Sequence, residues 1–233
     1  MKINVLLTVA TIGLTVASAQ ASTINYLQSV GTPYETPGLS TYNTYGNDMA
    51  GMDAWVTFSD GETQHAVWAV TGATSGAATV GGFFTISETG DTFNNLAWTL
   101  QNLSTTLSIT SFTLLGAGGD TVFDRTFGGA TGTPNSASGK DFYINGSYSV
   151  TATYTDELNL TGAAAVGDEF TEIEVAFGAN TYFGPGGRVN FTQDTDNAAV
   201  HGTITPSVPD GASTAMMLGM GILAIGALKK RLS

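Results

Sequence analysis

Tyr148-Ser149-Val150-Thr151-Ala152-Thr153-Tyr154-Thr155 and Thr171-Glu172-Ile173-Glu174-Val175-Ala176-Phe177 alternate apolar and polar side chains. Successive side chains of a strand point to opposite faces, so a period of two predicts two strands with one buried and one wetted face each. In the second, Glu172 and Glu174 face outward. Working outward from these, further strands are expected at Ala54–Phe58, Gln64–Thr71, Phe83–Ser87, Leu96–Asn102, Leu107–Leu115, Thr121–Phe127, Arg188–Gln193 and Val200–Thr205. The apolar phase slips between Ile109 and Phe112, which predicts a bulge or bend there. Asp60-Gly61, Gly81-Gly82, Gly118-Gly119, Asn145-Gly146 and Gly186-Gly187 punctuate the gaps as turns. No segment of the body carries a helical stripe; Ala163–Val166 is short and lies between Gly162 and Gly167. Many short strands separated by turn signals predict an all-β body, an antiparallel β-sandwich of jelly-roll type, with a barrel as the alternative. Residues 22–53, with Pro33 and Pro37 and no sustained period, read as an irregular or edge segment.

The two ends belong to a different kind of chain. Met1-Lys2 precedes an apolar run that finishes in Ala17-Ser18-Ala19-Gln20-Ala21. One positive charge, an apolar core and small residues at A-x-A spacing predict a signal peptide over 1–21, cut after Ala19 or Ala21. At the far end, uncharged residues Ala212–Leu228 run directly into Lys229-Lys230-Arg231. That length is at the short end of what crosses a bilayer as a helix, and backbone satisfaction in lipid demands a helix. The basic flank places residues 229–233 inside and the body, 22–207, outside. The expected precursor is anchored in the inner membrane by a single transmembrane helix over 212–228.

With three basic residues (Arg125, Lys140, Arg188) against eighteen acidic ones, residues 22–208 carry a net charge of −15. Such a surface repels phosphate backbones and argues against nucleic acid as a partner, while it suits divalent cations. There is no cysteine, so disulfides, thiolate metal sites and cysteine nucleophiles are excluded.

Val208-Pro209-Asp210-Gly211, the apolar segment and the basic end together resemble a PEP-CTERM sorting signal, in its Val-Pro-Asp variant, over residues 208–233. Asp210 stands where the family pattern has Glu, and Gly211 where it has a second Pro. The resemblance implies a Gram-negative bacterium and an exosortase as partner. It also implies processing near the motif, followed by delivery to the cell surface or extracellular polysaccharide matrix. Pro209 lacks an N–H and Gly211 is permissive, so an extended, accessible stretch is expected there, as a processing enzyme requires.

Chemistry-bearing residues in the body are sparse. His65 and His201 sit in no hydrolase or metalloprotease motif. The acidic pairs Glu172/Glu174, Asp156/Glu157 and Asp168/Glu169 could serve a glycosidase, but exposed faces and loops explain them more simply. Asp194-Thr195-Asp196-Asn197 sets oxygen ligands at alternate positions in what reads as a loop, the ligand type Ca²⁺ takes, although an Asx-rich turn gives the same pattern. Asp48 and Asp53 form another acidic pair ahead of the first strand. By strand phase Trp68 joins Val70, and Trp98 joins Leu96 and Leu100, in the core. Trp55 falls opposite Ala54, Val56 and Phe58; its ring either lies under a loop or forms an exposed sugar platform. The expected function is a non-catalytic surface or matrix protein, structural or adhesive in an exopolysaccharide biofilm. The alternative is a secreted, glycosidase-like hydrolase acting on that matrix.

Overall fold

Alternating side chains require two faces to be buried differently, and a computed structural model shows how. It describes residues 23–28, 34–41, 43–125, 132–133, 136, 138–160 and 166–199. The expected signal peptide, the Val200–Thr205 strand, His201, the 208–211 motif, the 212–228 helix and the basic flank lie outside the described residues.

The chain is all-β. In chain order the strands are β1 (Thr23–Gln28), β2 (Tyr34–Thr36), β3 (Leu39–Thr41), β4 (Asp53–Phe58), β5 (Thr63–Val67), β6 (Ala69–Gly72), β7 (Ser75–Val80) and β8 (Phe84–Thr89). They continue with β9 (Trp98–Asn102), β10 (Ile109–Leu115), β11 (Thr121–Asp124), β12 (Tyr143–Ile144), β13 (Ser149–Leu160), β14 (Glu169–Phe177), β15 (Arg188–Thr192) and β16 (Asp194–Ala198). One sheet runs β3-β16-β11-β14-β10-β4-β5, with β13 added on β14. The other runs β12-β15-β9-β8-β7-β6. Pairing is antiparallel except where β1 and β2 join β13 in parallel. The segment 22–53 thus contributes short strands that each add to a single neighbour.

Both sheets turn apolar faces to a common core. Ala54, Val56, Phe112, Leu114, Ile173 and Val175 come from the first, and Phe84, Ile86, Trp98, Leu100, Val189 and Phe191 from the second. The aromatic rings meet there: Phe191 lies 5.4 Å from Trp98 and 5.6 Å from Phe112. A smaller cluster of Leu39, Val122, Leu158 and Ala198 covers the opposite face of the first sheet around β11 and β16. The phase slip in β10 appears as a shift of register against β4 between Ile109 and Ser111.

Three expectations change. Gln64–Thr71 is not one strand: Trp68 interrupts it, turns into the core and donates its indole N–H to Gly46 O at 2.7 Å. Val70, expected beside it, is 55% exposed. Residues 75–80, unremarkable in sequence, form β7. Asp194–Ala198, read as a loop, is a fully buried strand, because β11 and β3 bracket it and supply its backbone partners.

Candidate metal centre

β11 ends on Asp124, and the sheet register decides what faces it. Asp124 pairs with Glu169 on β14 and with Asp194 on β16, so three carboxylic side chains form a row across three adjacent strands. Asp196 lies two residues further along β16, on the face of Asp194. Phe123 and Phe170 enter the main core, whereas Val122 belongs to the smaller cluster, so Asp124 and Glu169 share the outer face with Val122. That face is covered: Asp124, Glu169 and Asp196 are each 1% exposed. One oxygen from each of these three lies within 4.8 Å of the others.

The flanking acids are well provided with donors. Asp168 accepts the Thr133 backbone N–H and hydroxyl, both at 2.7 Å. Asp194 Oδ1 accepts the Thr195 N–H at 3.0 Å and the Thr92 hydroxyl at 3.3 Å. Ser136 Oγ donates to Asp124 Oδ2 at 2.9 Å. By contrast, Asp124 Oδ1 and both oxygens of Glu169 and of Asp196 receive no hydrogen bond. The backbone of Gly139 passes so close that a Cβ there would overlap Asp124 Oδ1 and Arg125 O. Glycine is therefore the residue that lets the 138–141 segment close over the carboxyls.

Burial dominates the protonation of the group. It pushes Asp124 up to about 8, helped by the charges of Asp196, Asp194 and Asp168 and opposed by the Ser136 hydrogen bond. Asp194 rises to about 8 from burial and then Asp196, against its Thr195 and Thr92 hydrogen bonds. Asp196 rises to about 6, again mainly from burial, opposed by the nearby Ser136 hydroxyl and Glu169 carboxyl. Glu169 is raised well above the usual carboxylate range by burial, then by Asp124 and Asp196. Chemically this is an all-oxygen donor set in a closed site, of the kind that holds either shared protons or a hard cation.

The residues expected from sequence are redistributed. Asp196 enters the centre and Asp194 borders it, but Asn197 does not: its Oδ1 accepts the Thr44 hydroxyl at 3.1 Å and its Nδ2 donates to Asp48 O. Asp168 and Glu169, read as solvated, are buried. Asp124 was unremarkable in sequence because nothing local marks it. Asp48 instead accepts the Tyr45 N–H in a turn, and Asp53 pairs with His65 Nε2 at 2.7 Å. Trp55 is 40% exposed, with its ring stacked on His65 at 4.1 Å.

Residues 207–232 match a family described as the VPDSG-CTERM motif. The chain keeps Val208-Pro209-Asp210 and carries Gly211 where that description has Ser. The segment is a variant of the PEP-CTERM-like sorting signal; it marks an exported, membrane-transiting precursor processed by a sorting enzyme such as an exosortase. No curated protein and no solved structure matches the chain.

Proposed function

We propose that the chain is a surface or matrix protein: a jelly-roll-like β-sandwich delivered outside the cell, held in the inner membrane through residues 212–228, then cut near Val208–Gly211. Its role is structural or adhesive within an exopolysaccharide matrix. The observation that carries this reading is the sorting motif at residues 207–232, directly behind a strand-built body. Asp124, Glu169 and Asp196 cannot serve as the carboxyls of a glycosidase, since a polymeric sugar cannot touch groups that are 1% exposed. The half-open Trp55 ring, backed by His65, offers a flat apolar platform of the kind that stacks on sugar rings.

The test is the intact mass of the protein recovered from the host's surface and medium. A species beginning at Ser22 and ending between Val208 and Gly211 is expected. A species that retains Lys229–Ser233 refutes processing and leaves the tail as a plain anchor. Adhesion is tested separately: Trp55→Ala should abolish retention on the host's polysaccharide while the fold is kept, and unchanged retention removes Trp55 from the reading.

A further inference from the structure

We propose that Asp124, Glu169 and Asp196 bind one divalent cation, and that the site fits Ca²⁺. Two of these side chains, Glu169 and Asp196, are almost wholly buried, and none of their four carboxyl oxygens receives a hydrogen bond of ordinary geometry, although the Ser136 hydroxyl and the two carboxyls lie near enough to affect one another's protonation. One oxygen of each lies within 4.8 Å of the other and of one carboxyl oxygen of Asp124. An ionised carboxylate left so in a protein interior is costly, and a like-charged neighbour makes it costlier. The flanking acids show that the fold supplies donors where it needs them: Thr133 saturates Asp168, and Thr92 and Thr195 serve Asp194. Within this acidic group the central oxygens are the ones left open; outside it, the isolated Glu88 also has both carboxyl oxygens without a partner.

The three carboxyl oxygens all lie within 4.8 Å of one another, close enough to share one ion. A closed site lined by protein carboxylates suits Ca²⁺, which takes oxygen ligands in flexible geometry, better than Mg²⁺, which keeps several of its waters. The donors are carboxylate oxygens without imidazole or thiolate, the set a hard cation takes. The ligands come from β11, β14 and β16 at fixed register, so the site forms only when these strands are paired. An ion there would join three segments far apart in sequence within a chain that has no cysteine. The inference stands whether or not the tail is processed.

The full-length chain, in a non-ionic detergent and stripped with EGTA, is titrated with CaCl₂ and separately with MgCl₂. Calorimetry gives stoichiometry, and Trp fluorescence gives the melting temperature. Saturable uptake of one Ca²⁺ per chain is expected, at least tenfold tighter than Mg²⁺, with a rise of several degrees in Tm. Glu169→Gln and Asp196→Asn should each weaken that uptake at least tenfold while still folding in EGTA, since each removes a buried acid. Two results would overturn the proposal. One is no saturable uptake by the native chain, with both amide variants raising Tm equally with and without Ca²⁺, which marks an acidic core that shares protons. The other is uptake that survives both substitutions, which marks binding to the acidic surface.

Discussion

Glu88 gives the sharpest quantitative prediction, because it is a lone buried acid outside the three-strand row. It sits on β8 between Gly76 of β7 and Trp98 of β9, and is 1% exposed. The groups facing it are Asp91 from the turn after β8, and Asp48 with the Gly46 backbone from the loop before β4. Burial first, then Asp91, raises its pKa from 4.5 to about 8; the Gly46 backbone opposes and Asp48 adds a little. Folded protein therefore holds a proton that unfolded protein releases. With the folded value above the unfolded one for an acid, stability is full below pH 4.5 and falls as pH climbs through about 8. The whole interval corresponds to about 5 kcal/mol, and the part reached by pH 7 to about 3 kcal/mol. Glu88→Gln keeps the shape and removes the titration. Urea unfolding followed by Trp fluorescence, in constant EGTA, should show the variant close to the native chain at pH 4.5. It should be more stable by about 3 kcal/mol at pH 7, less whatever the buried amide loses for want of acceptors. A gap between the two proteins that stays constant from pH 4.5 to pH 8 would refute the reasoning. A loss of stability confined to calcium-containing buffer would instead make Glu88 an ion ligand.

Three further outcomes are expected. Tyr154 donates its hydroxyl to Gln193 Oε1 at 2.6 Å and accepts the Phe142 N–H at 3.0 Å, both buried. Tyr154→Phe should therefore cost about 2–3 kcal/mol in urea unfolding, and a cost near zero would mean the network is not formed. A Cβ at Gly76 would overlap Trp68 Nε1 and Gly46 O; Gly76→Ala should lower stability by about 1–3 kcal/mol or more, and an unchanged Tm contradicts that packing. Trp55→Ala should change stability by less than about 1 kcal/mol, as its ring is half in solvent, and a larger loss would show that the ring supports the sheet.

The readable parts of this fold were those in which sequence alternation and burial agree. β13 and β14 are legible because Val150, Ala152, Ile173 and Val175 line the core while Glu174 stays in water. The bulge in β10 was visible as a phase slip because core contacts on both sides of it had to be kept. β16 was hidden because Asp and Asn favour turns and are poor strand formers; its strand state comes from β11 and β3 alongside it. The acidic centre was hidden for a related reason. Positions 124, 169 and 196 meet only through register, which no local window contains. One signal was present: the inward phase of β14 changes between Phe170 and Ile173, both buried, so the strand's early part presents a different pattern from its end. Asp168 and Glu169 looked solvated because the outer face there is covered by segments distant in sequence, Thr133 among them.

β16 has a mechanical consequence. It is the last described strand, ending at Ala198, and the sorting segment begins at residue 207. If residues 212–228 hold the precursor in the membrane as proposed, β16 is the described strand nearest to that point of attachment along the chain. It is gripped on one side by β11 along its length and on the other by the short β3. Asp194 and Asp196 lie within that strand. An ion clamped between Asp196, Asp124 and Glu169 would make that strand harder to peel away, so a pulling experiment through the C-terminus should register a higher rupture force in calcium than in chelator.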